Sequence, residues 1–288
     1  MALNDGATRR AAAPRGGGSR FGPDLWRRVA PGVVMALAAL AAAWAGGLVF
    51  VAFWWIASVV ILWEWQRLVS SERLFERIAV GTAAAAAAAL FALHEQVRWA
   101  TATVILGAAA VAWAAKPPAR GWAGAGSLYA GALVASVGLL RASPSYGLPA
   151  ILWLYAVVWG VDIAAYFAGR AVGGPKLWPS VSPGKTWSGA VVGALAGAAL
   201  GLLLAPWTNR IDRLFWLGLA AAAVGELGDL FESAVKRRFR VKDASGLIPG
   251  HGGLMDRLDA FLAASVFAAL VATANTRGSF IASGLFQW

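Results

Sequence analysis

Long apolar runs, separated by short polar segments, dominate the chain after its first 28 positions. The runs are about 17–22 residues long, and a helix needs about 20 apolar residues to cross a bilayer. The third run is the weakest, because positions 83–89 are alanines and only mildly hydrophobic. The pattern predicts an all-α polytopic membrane protein with about nine transmembrane helices, at 29–45, 48–66, 78–93, 97–115, 123–140, 148–168, 187–205, 213–233 and 258–276.

The distribution of Lys and Arg indicates how these helices are oriented. If the N-terminus is cytoplasmic, most of the 25 Lys and Arg residues fall in segments on the inner side. Only five fall outside: Arg98, Arg141, Arg210, Arg213 and Arg277. This bias is the positive-inside pattern of membrane proteins. It therefore predicts that both polar loops, 169–186 and 234–257, face the cytoplasm.

Composition separates a short tail from one large domain. Residues 1–28 are rich in Arg, Gly, Ala and Pro and predict a mobile basic cytoplasmic tail. Residues 29–288 are expected to form a single integral membrane domain. The net charge of +11 lies in short loops between apolar spans, which favours membrane topology and anionic lipid over nucleic acid. The chain has no cysteine, which excludes disulfides and thiolate metal sites.

The segment 229–259 concentrates charge between the last two predicted helices, where charge beside hydrocarbon is costly and indicates a functional site. Asp229, Ser233 and Lys236 stand at i, i+4 and i+7 and share one face if the eighth helix continues through them. Glu232 and Lys236 equally fit a helix-end salt bridge. Asp229 lies at the edge of the apolar span, and a bound cation would remove the cost of an unpaired carboxylate there.

Two further aspartates stand at the start of the ninth predicted helix. Asp256 and Asp259 are at i, i+3, and a helix N-terminus favours acidic side chains without any ligand. They would, however, reach the same membrane face as Asp229, and converging carboxylates repel each other unless a cation lies between them. Magnesium typically takes one or two carboxylates together with substrate phosphates and water.

The loop before these aspartates is rich in glycine. Positions 249–253 read Pro-Gly-His-Gly-Gly, and such a loop can direct backbone N–H groups at phosphate oxygens, assisted by the dipole of the next helix. Gly252 and Gly253 are therefore candidate phosphate contacts. His251 is a candidate phosphate donor, proton carrier or metal ligand, although a lone histidine is more often structural.

The other polar loop contains Ser182-Pro183-Gly184-Lys185-Thr186, which is similar to the tail of a P-loop. The match fails because Pro179 stands where the first glycine is required and no strand is predicted before it. Lys185 and Thr186 remain candidate phosphate contacts at the start of the seventh helix. The glycines of that helix recur every four residues, which predicts close helix packing rather than a ligand site.

Three other charged positions have alternative explanations. Asp162 lies within the sixth span and Arg170 follows about two turns later. The pair fits either an ion pair or part of a nucleotide site. Glu64 is expected to meet Arg67 at the membrane interface.

Together these positions resemble the signature of the phosphatidate cytidylyltransferases, also called CDP-diacylglycerol synthases. The signature covers residues 233–259 without a gap, and Asp162–Arg170, Ser182–Thr186 and Gly228-Asp229 extend the likeness. Gly184 stands where the family often has a second Lys. Residues 1 to about 150 match only in hydrophobic pattern, length and the position of Glu64. The signature positions are Ser233, Lys236, Arg237, Lys242, Asp243, Ser245, Ile248, Pro249, His251, Gly252, Gly253, Asp256, Arg257 and Asp259.

The resemblance implies transfer of a cytidylyl group from CTP to phosphatidate, which gives CDP-diacylglycerol and pyrophosphate for phospholipid biosynthesis. It also implies Mg²⁺, with a second cation left open, a homodimer, and a site that faces the cytoplasm at the cell inner (plasma) membrane. Asp229 and Asp256 are the predicted metal ligands, and Asp243 and Asp259 are further ligands or orient them. The predicted catalytic residues are Asp229, Ser233, Lys236, Lys242, Asp243, His251, Asp256, Arg257 and Asp259; the predicted substrate-binding residues are Asp162, Arg170, Ser182, Lys185, Thr186, Gly252 and Gly253.

Other functions stay open. A cytidylyltransferase that acts on a different lipid phosphate would share the same head-group chemistry. A CDP-alcohol phosphotransferase is disfavoured, because its D-G-x2-A-R pattern is missing from the chain. An ion or lipid transporter would favour acids near mid-membrane and broken helices in both halves, whereas this chain gathers its charge at one face and in one half.

Overall fold

The structure is a computed structural model, and it describes residues 24–248, 252–276 and 280–287. The predicted tail lies largely outside this range, although the first helix begins at Asp24, inside the predicted tail. Within the described residues the fold consists of nine α-helices and one short hairpin. The helices are α1 (Asp24–Ala45), α2 (Gly47–Val69), α3 (Leu74–Leu93), α4 (Val97–Ala114), α5 (Arg120–Ala142), α6 (Gly147–Ala171), α7 (Trp187–Gly201), α8 (Ile211–Arg238) and α9 (Met255–Asn275).

Each predicted span corresponds to one of these helices, including the weak third one. Eight described spans are long and apolar enough to cross a membrane, if α7 is counted with the 3₁₀ turn Leu202–Trp207 that continues it. In α1 the apolar stretch Ala30–Ala45 is shorter. The prediction of an all-α polytopic membrane fold is confirmed.

The last two helices are longer than predicted, at the ends that carry charge. α8 continues to Arg238 rather than ending near 233, and α9 begins at Met255 rather than 258. The extension of α8 is stabilised by the i, i+4 ion pair between Glu232 and Lys236. Asp229, Ser233 and Lys236 therefore do share one helix face.

Alternate connections meet at opposite ends of the bundle. At one end, Glu72 after α2 lies 3.5 Å from Lys116 after α4, and the ring of Trp122 in α5 packs against Phe239 after α8. At the other end, Arg141 of α5 donates a 2.8 Å hydrogen bond to the carbonyl of Ala43 in α1. This alternation agrees with the order of spans by which the Lys and Arg residues were divided between the two sides of the membrane.

Glycines bring α6 and α7 into direct contact, as the four-residue spacing predicts. A Cβ on Gly197 would lie 2.6 Å from the carbonyl oxygen of Val157, and one on Gly193 would lie 3.0 Å from that of Val161. Only glycine allows backbones to approach this closely. The contact matters for the site because α7 carries the hairpin before it.

The polar loop between α6 and α7 folds into a two-stranded antiparallel hairpin, β1 (Lys176–Trp178) and β2 (Ser182–Thr186). The expectation that no strand precedes the Gly-Lys-Thr segment is therefore wrong. The P-loop assignment still fails, because Gly184-Lys185 lies within strand β2 itself and Pro179 occupies the first glycine position. Strand β2 directs Lys185 toward α8.

Candidate active site

One face of α8 carries the acidic and basic groups at the centre of the site. Asp229, Glu232, Ser233 and Lys236 follow one another along this face, and the Glu232 and Ser233 side chains are buried. Ser233 Oγ donates a 3.4 Å hydrogen bond to Asp229 Oδ1. Lys236 Nζ lies 2.8 Å from Glu232 Oε2, which confirms the predicted helix-end salt bridge.

Asp256 in the first turn of α9 is surrounded by hydrogen-bond donors. Lys236 Nζ lies 2.6 Å from its Oδ1. Its Oδ2 accepts hydrogen bonds from the backbone N–H groups of Ala244, at 2.9 Å, and Gly253, at 2.6 Å. This carboxylate therefore links α8, the loop 239–254 and α9, and its described contacts are with a lysine and backbone donors.

Glu64 of α2 has a different role from the one predicted. It was expected to meet Arg67, but Arg67 stacks over the Trp63 ring, and the Glu64 side chain is fully buried. Its oxygens accept hydrogen bonds from Ser245 Oγ at 2.6 Å, Leu254 N at 2.9 Å and Met255 N at 2.7 Å. Glu64 therefore holds the loop 245–254 and caps the start of α9, where the helix dipole favours an anion.

Lys185 projects from the hairpin onto α8, where two carboxylates hold it. Its Nζ lies 2.5 Å from Glu226 Oε2 and 2.7 Å from Asp229 Oδ2. Burial lowers the pKa of Lys185, but the charges of Asp229 and Glu226 outweigh burial and raise the pKa above its ordinary value. The ammonium group therefore stays charged at neutral pH.

A polar cleft of about 500 Å³ opens beside Lys185, between α6, the hairpin, α7 and α8. It is within the size range of small-molecule sites, roughly 300–1,000 Å³. Asp162 and Arg170 both line it. Arg170 donates a 2.7 Å hydrogen bond to the Tyr166 hydroxyl, so its described partner is Tyr166 rather than Asp162. Three basic residues, Arg170, Lys176 and Lys185, line the cleft together with three acidic ones, Asp162, Glu226 and Asp229.

Three carboxylates converge where α8 meets α9. Asp229, Glu232 and Asp259 each offer an oxygen, and these oxygens lie within 4.8 Å of one another. Glu232 is paired on one oxygen only, because Lys236 Nζ lies 2.8 Å from its Oε2 and the buried Oε1 has no hydrogen-bond partner among the described residues. Carboxylate oxygens are the ligands that Mg²⁺ prefers, and carboxylates this close repel one another unless positive charge lies between them. The donor set therefore fits a hard divalent cation.

This cluster differs in part from the predicted metal pair. It contains Asp229 and Asp259 and adds Glu232, whereas the described contacts of Asp256 are Lys236, Ala244 and Gly253. Which of these carboxylates bind a metal ion therefore stays a prediction.

The structure places the remaining predicted residues around this centre. Thr186 caps α7, since its Oγ1 accepts a 3.2 Å hydrogen bond from Gly189 N, and Ser182 begins β2. Gly252 has a φ of 81° and its carbonyl accepts from Ile248 N, so a glycine is required there. Lys242 and Asp243 are exposed in the loop after α8. Arg257 lies within electrostatic range of Asp162, and His251 lies outside the described residues.

Sequence reasoning missed Glu226, Glu232 and Lys176 as members of the site. Glu226 lies one turn before Asp229 on α8 and shares Lys185 with it. Its position inside an apolar span carried the same signal that identified Asp229, because intramembrane acids mark functional sites.

Comparison with known proteins agrees with this arrangement. The model of the cytidylyltransferase family matches residues 26–274. The chain belongs to this family. The match to the cytidylyltransferase family begins in α1 and ends in α9, so it includes every residue of the site.

Individual relatives are similar over most of the chain. The phosphatidate cytidylyltransferase of Brucella suis is 38% identical over 250 residues, which are 84% of this chain and 91% of that protein. The phosphatidate cytidylyltransferase of Pseudomonas aeruginosa is 39% identical over 243 residues, 75% of this chain and 86% of that protein. The likeness to cytidylyltransferases is therefore broader than the motifs of the C-terminal half suggest.

Proposed function

We propose that the chain is a phosphatidate cytidylyltransferase, which transfers the cytidylyl group of CTP to phosphatidate. The observation that carries the proposal is the position of Lys185 and the acidic cluster on either side of Asp229. A cleft that offers Arg170, Lys176 and Lys185 to the phosphates of a nucleoside triphosphate thereby adjoins a carboxylate cluster suited to a divalent cation. Both lie at one end of a helix bundle that is apolar enough to span a membrane, where a soluble polyanion and a membrane lipid can meet.

Mg²⁺ is the proposed cofactor, and Asp229, Glu232 and Asp259 are its proposed ligands. When bound there, the ion would neutralise charge on the transferring phosphoryl group. Asp256 is proposed to position the site instead, because it joins α9 to Lys236 of α8 and to the backbone of the loop.

The chemical step is an in-line substitution at phosphorus. A phosphate oxygen of phosphatidate attacks the α-phosphorus of CTP and forms the new P–O bond. The bond from the α-phosphorus to the oxygen that bridges to the β-phosphate breaks, and pyrophosphate leaves with that electron pair. The attacking oxygen is already anionic, so the step needs no strong general base. Lys185, Lys176 and Arg170 are proposed to bind the phosphates of CTP, and Arg257 and Lys242 those of the lipid or the leaving group.

The wider setting is also a proposal. The domain from residue 29 onward is expected to work as one catalytic unit in the cell inner membrane, with the site on the cytoplasmic side and as a homodimer. The excess of Lys and Arg at the end of the bundle that carries the site supports this orientation.

A direct assay tests the function. Purified protein in mixed micelles with MgCl₂ and CTP is expected to release pyrophosphate only when phosphatidate is added, with one CDP-diacylglycerol formed for each pyrophosphate. A polyprenyl phosphate in place of phosphatidate tests the alternative lipid acceptor. Pyrophosphate release that is independent of any lipid, or no release with phosphatidate, would contradict the proposal.

A further inference from the structure

A second cavity of about 500 Å³ lies between α5, α8 and α9 and is almost entirely apolar. Leu128, Phe231 and Leu270 line it, and each exposes about half or more of its surface on the outside of the bundle. We call this cavity the α5/α8/α9 groove. Tyr129 is the one residue with a polar side chain among the described residues that line it, and its hydroxyl is buried.

One end of the groove adjoins the carboxylate cluster. Phe231 stands between Asp229 and Glu232 in α8, and Leu262 and Ala263 lie about one turn beyond Asp259 in α9. The groove and the cluster therefore share two helices at the same depth.

Tyr129 lies at this junction. Its ring packs against Trp65 and Phe231, with centroids 5.2 and 6.0 Å away. Its hydroxyl is buried and has no hydrogen-bond partner in the described part of the chain, while Asp229, Glu232 and Asp259 lie within electrostatic range. A buried hydroxyl normally has a partner, so this one is available to donate to a bound molecule.

We propose that the α5/α8/α9 groove binds one acyl chain of phosphatidate, and that the Tyr129 hydroxyl donates a hydrogen bond to an oxygen of the glycerol ester linkage. The inference rests on the proposed function and adds the binding site of its lipid substrate. An apolar chain matches the groove lining, and the ester oxygen accepts the one unused donor. The phosphate is thereby placed beside the carboxylate cluster, where a bound divalent cation would compensate its charge.

Obstructing the groove tests the acyl-chain site. Ala132 lines the groove, and Ala132→Phe is expected to raise the KM for dioleoyl phosphatidate roughly tenfold or more. It should change the KM for dihexanoyl phosphatidate and for CTP little, because short chains do not reach past the obstruction. Ala109→Phe, on the exposed surface of α4, is the matched control and should leave all three KM values unchanged.

Removing the hydroxyl tests Tyr129 without adding bulk. Tyr129→Phe is expected to raise the KM for phosphatidate roughly threefold to tenfold, as for one lost hydrogen bond, with the KM for CTP unchanged. The control is Tyr155→Phe, because the Tyr155 hydroxyl donates to Ala39 and lies outside the groove. This variant decides the question if Ala132→Phe does not fold.

The outcomes separate the two proposals. Wild-type protein without lipid-dependent pyrophosphate release would refute the proposed function. Active wild-type protein together with the same loss for long and short chains in Ala132→Phe, or a KM unchanged by Tyr129→Phe, would refute only the acyl-chain site. A change of oligomeric mass in Ala132→Phe, with an unaltered chain-length profile, would assign the groove to a second copy of the chain and equally refute it.

Discussion

Asp229 is the side chain that joins the two halves of the site. Its Oδ2 contacts Lys185 at 2.7 Å, and its Oδ1 accepts a hydrogen bond from Ser233. The same carboxylate belongs to the cluster with Glu232 and Asp259. Lys185 and a bound cation would therefore compete for the negative charge of Asp229. The affinity of the cleft for phosphates should consequently depend on whether a cation is bound at the cluster, and the affinity of the cluster for a cation should depend on whether phosphates are bound in the cleft.

The cation assignment predicts the effect of neutral replacements. Glu232→Gln and Asp259→Asn are expected to lower the transfer rate at least about 100-fold, because removal of even an indirect metal partner costs 10–100-fold. Part of the loss should be recovered at high MgCl₂, which a titration of rate against magnesium would measure. Glu76→Gln, at an exposed position in α3, is the control. Unchanged magnesium dependence in both site variants would rule out their role as ligands.

Asp256 is expected to respond differently. Asp256→Asn should also abolish most transfer while the fold is retained, because the neutral amide loses the charge that pairs with Lys236. If Asp256 positions the loop, the magnesium dependence of the residual rate will match that of the wild type. A shifted dependence would instead restore Asp256 as a ligand, as the sequence alone predicted.

The sequence located contacts within one helix most directly, and between helices it predicted the approach of Asp259 to Asp229 and the close packing at the glycines of α7. Asp229, Ser233 and Lys236 could be placed on one face because helical periodicity relates them. Glu64 could not be assigned, because its partners Ser245 and Leu254 are 181 and 190 residues away. Hydrophobic periodicity indicates which face of a helix is buried but does not identify the partner across the bundle.

The loop from 239 to 254 is the element on which the site depends most. Its described residues, 239–248 and 252–254, have almost no regular structure, and Glu64 and Asp256 hold them through backbone N–H groups. Any residue can supply a backbone N–H group, so these hydrogen bonds require that the loop backbone come close to the two carboxylates and do not require particular side chains. Small residues at the contact points are therefore essential.

Two glycines of this loop provide a matched test. A Cβ on Gly253 would lie 2.5 Å from Glu64 Oε1, whereas one on Gly246 would meet nothing within 4 Å. Gly253→Ala is expected to destabilise the protein by roughly 1–3 kcal/mol and to lower transfer sharply. Gly246→Ala should stay within about 0.5 kcal/mol of wild type. Thermal unfolding and turnover in detergent would measure both, and equal behaviour of the two variants would contradict the role of Glu64.

The α6–α7 contact allows a second comparison of glycines. A Cβ on Gly197 would lie 2.6 Å from a backbone carbonyl of α6, while Gly121 in α5 faces open space. Gly197→Ala is expected to lower the free energy of unfolding by roughly 1–3 kcal/mol, because the helices must separate. Gly121→Ala should be neutral or stabilising by up to about 1 kcal/mol. Similar melting temperatures for both variants would show that the glycine spacing does not control packing.

The long elements were predictable and the short hairpin was not. Each transmembrane helix leaves an apolar run of about 20 residues in the sequence. Strands β1 and β2 span only three and five residues, and β2 contains Gly and Pro, so they leave no alternation of apolar and polar positions long enough to recognise. The contacts of Lys185 with α8 could consequently be identified only in the structure.

The whole molecule is asymmetric along its length. The loops after α2, α4, α6 and α8 meet at one end, and these loops with the adjoining helix ends hold 14 of the 25 basic residues, while the other end is closed by contacts such as Arg141 with Ala43. The site lies at the basic end, where the positive-inside bias places the cytoplasm. Orientation therefore decides whether a soluble nucleotide can reach the cleft.

Because the chain has no cysteine, single cysteines can report this orientation directly. Ser180 in the hairpin turn and Asn209 before α8 are both exposed and lie at opposite ends of the bundle. A membrane-impermeant maleimide is expected to label Asn209→Cys in intact cells and to label Ser180→Cys only in inverted vesicles or after permeabilisation. Saturating CTP should not slow labelling at either position, because neither residue lines the cleft. Labelling of both positions from the same side would contradict the predicted number of membrane crossings between them, and the reversed pattern would place the site away from cytoplasmic CTP.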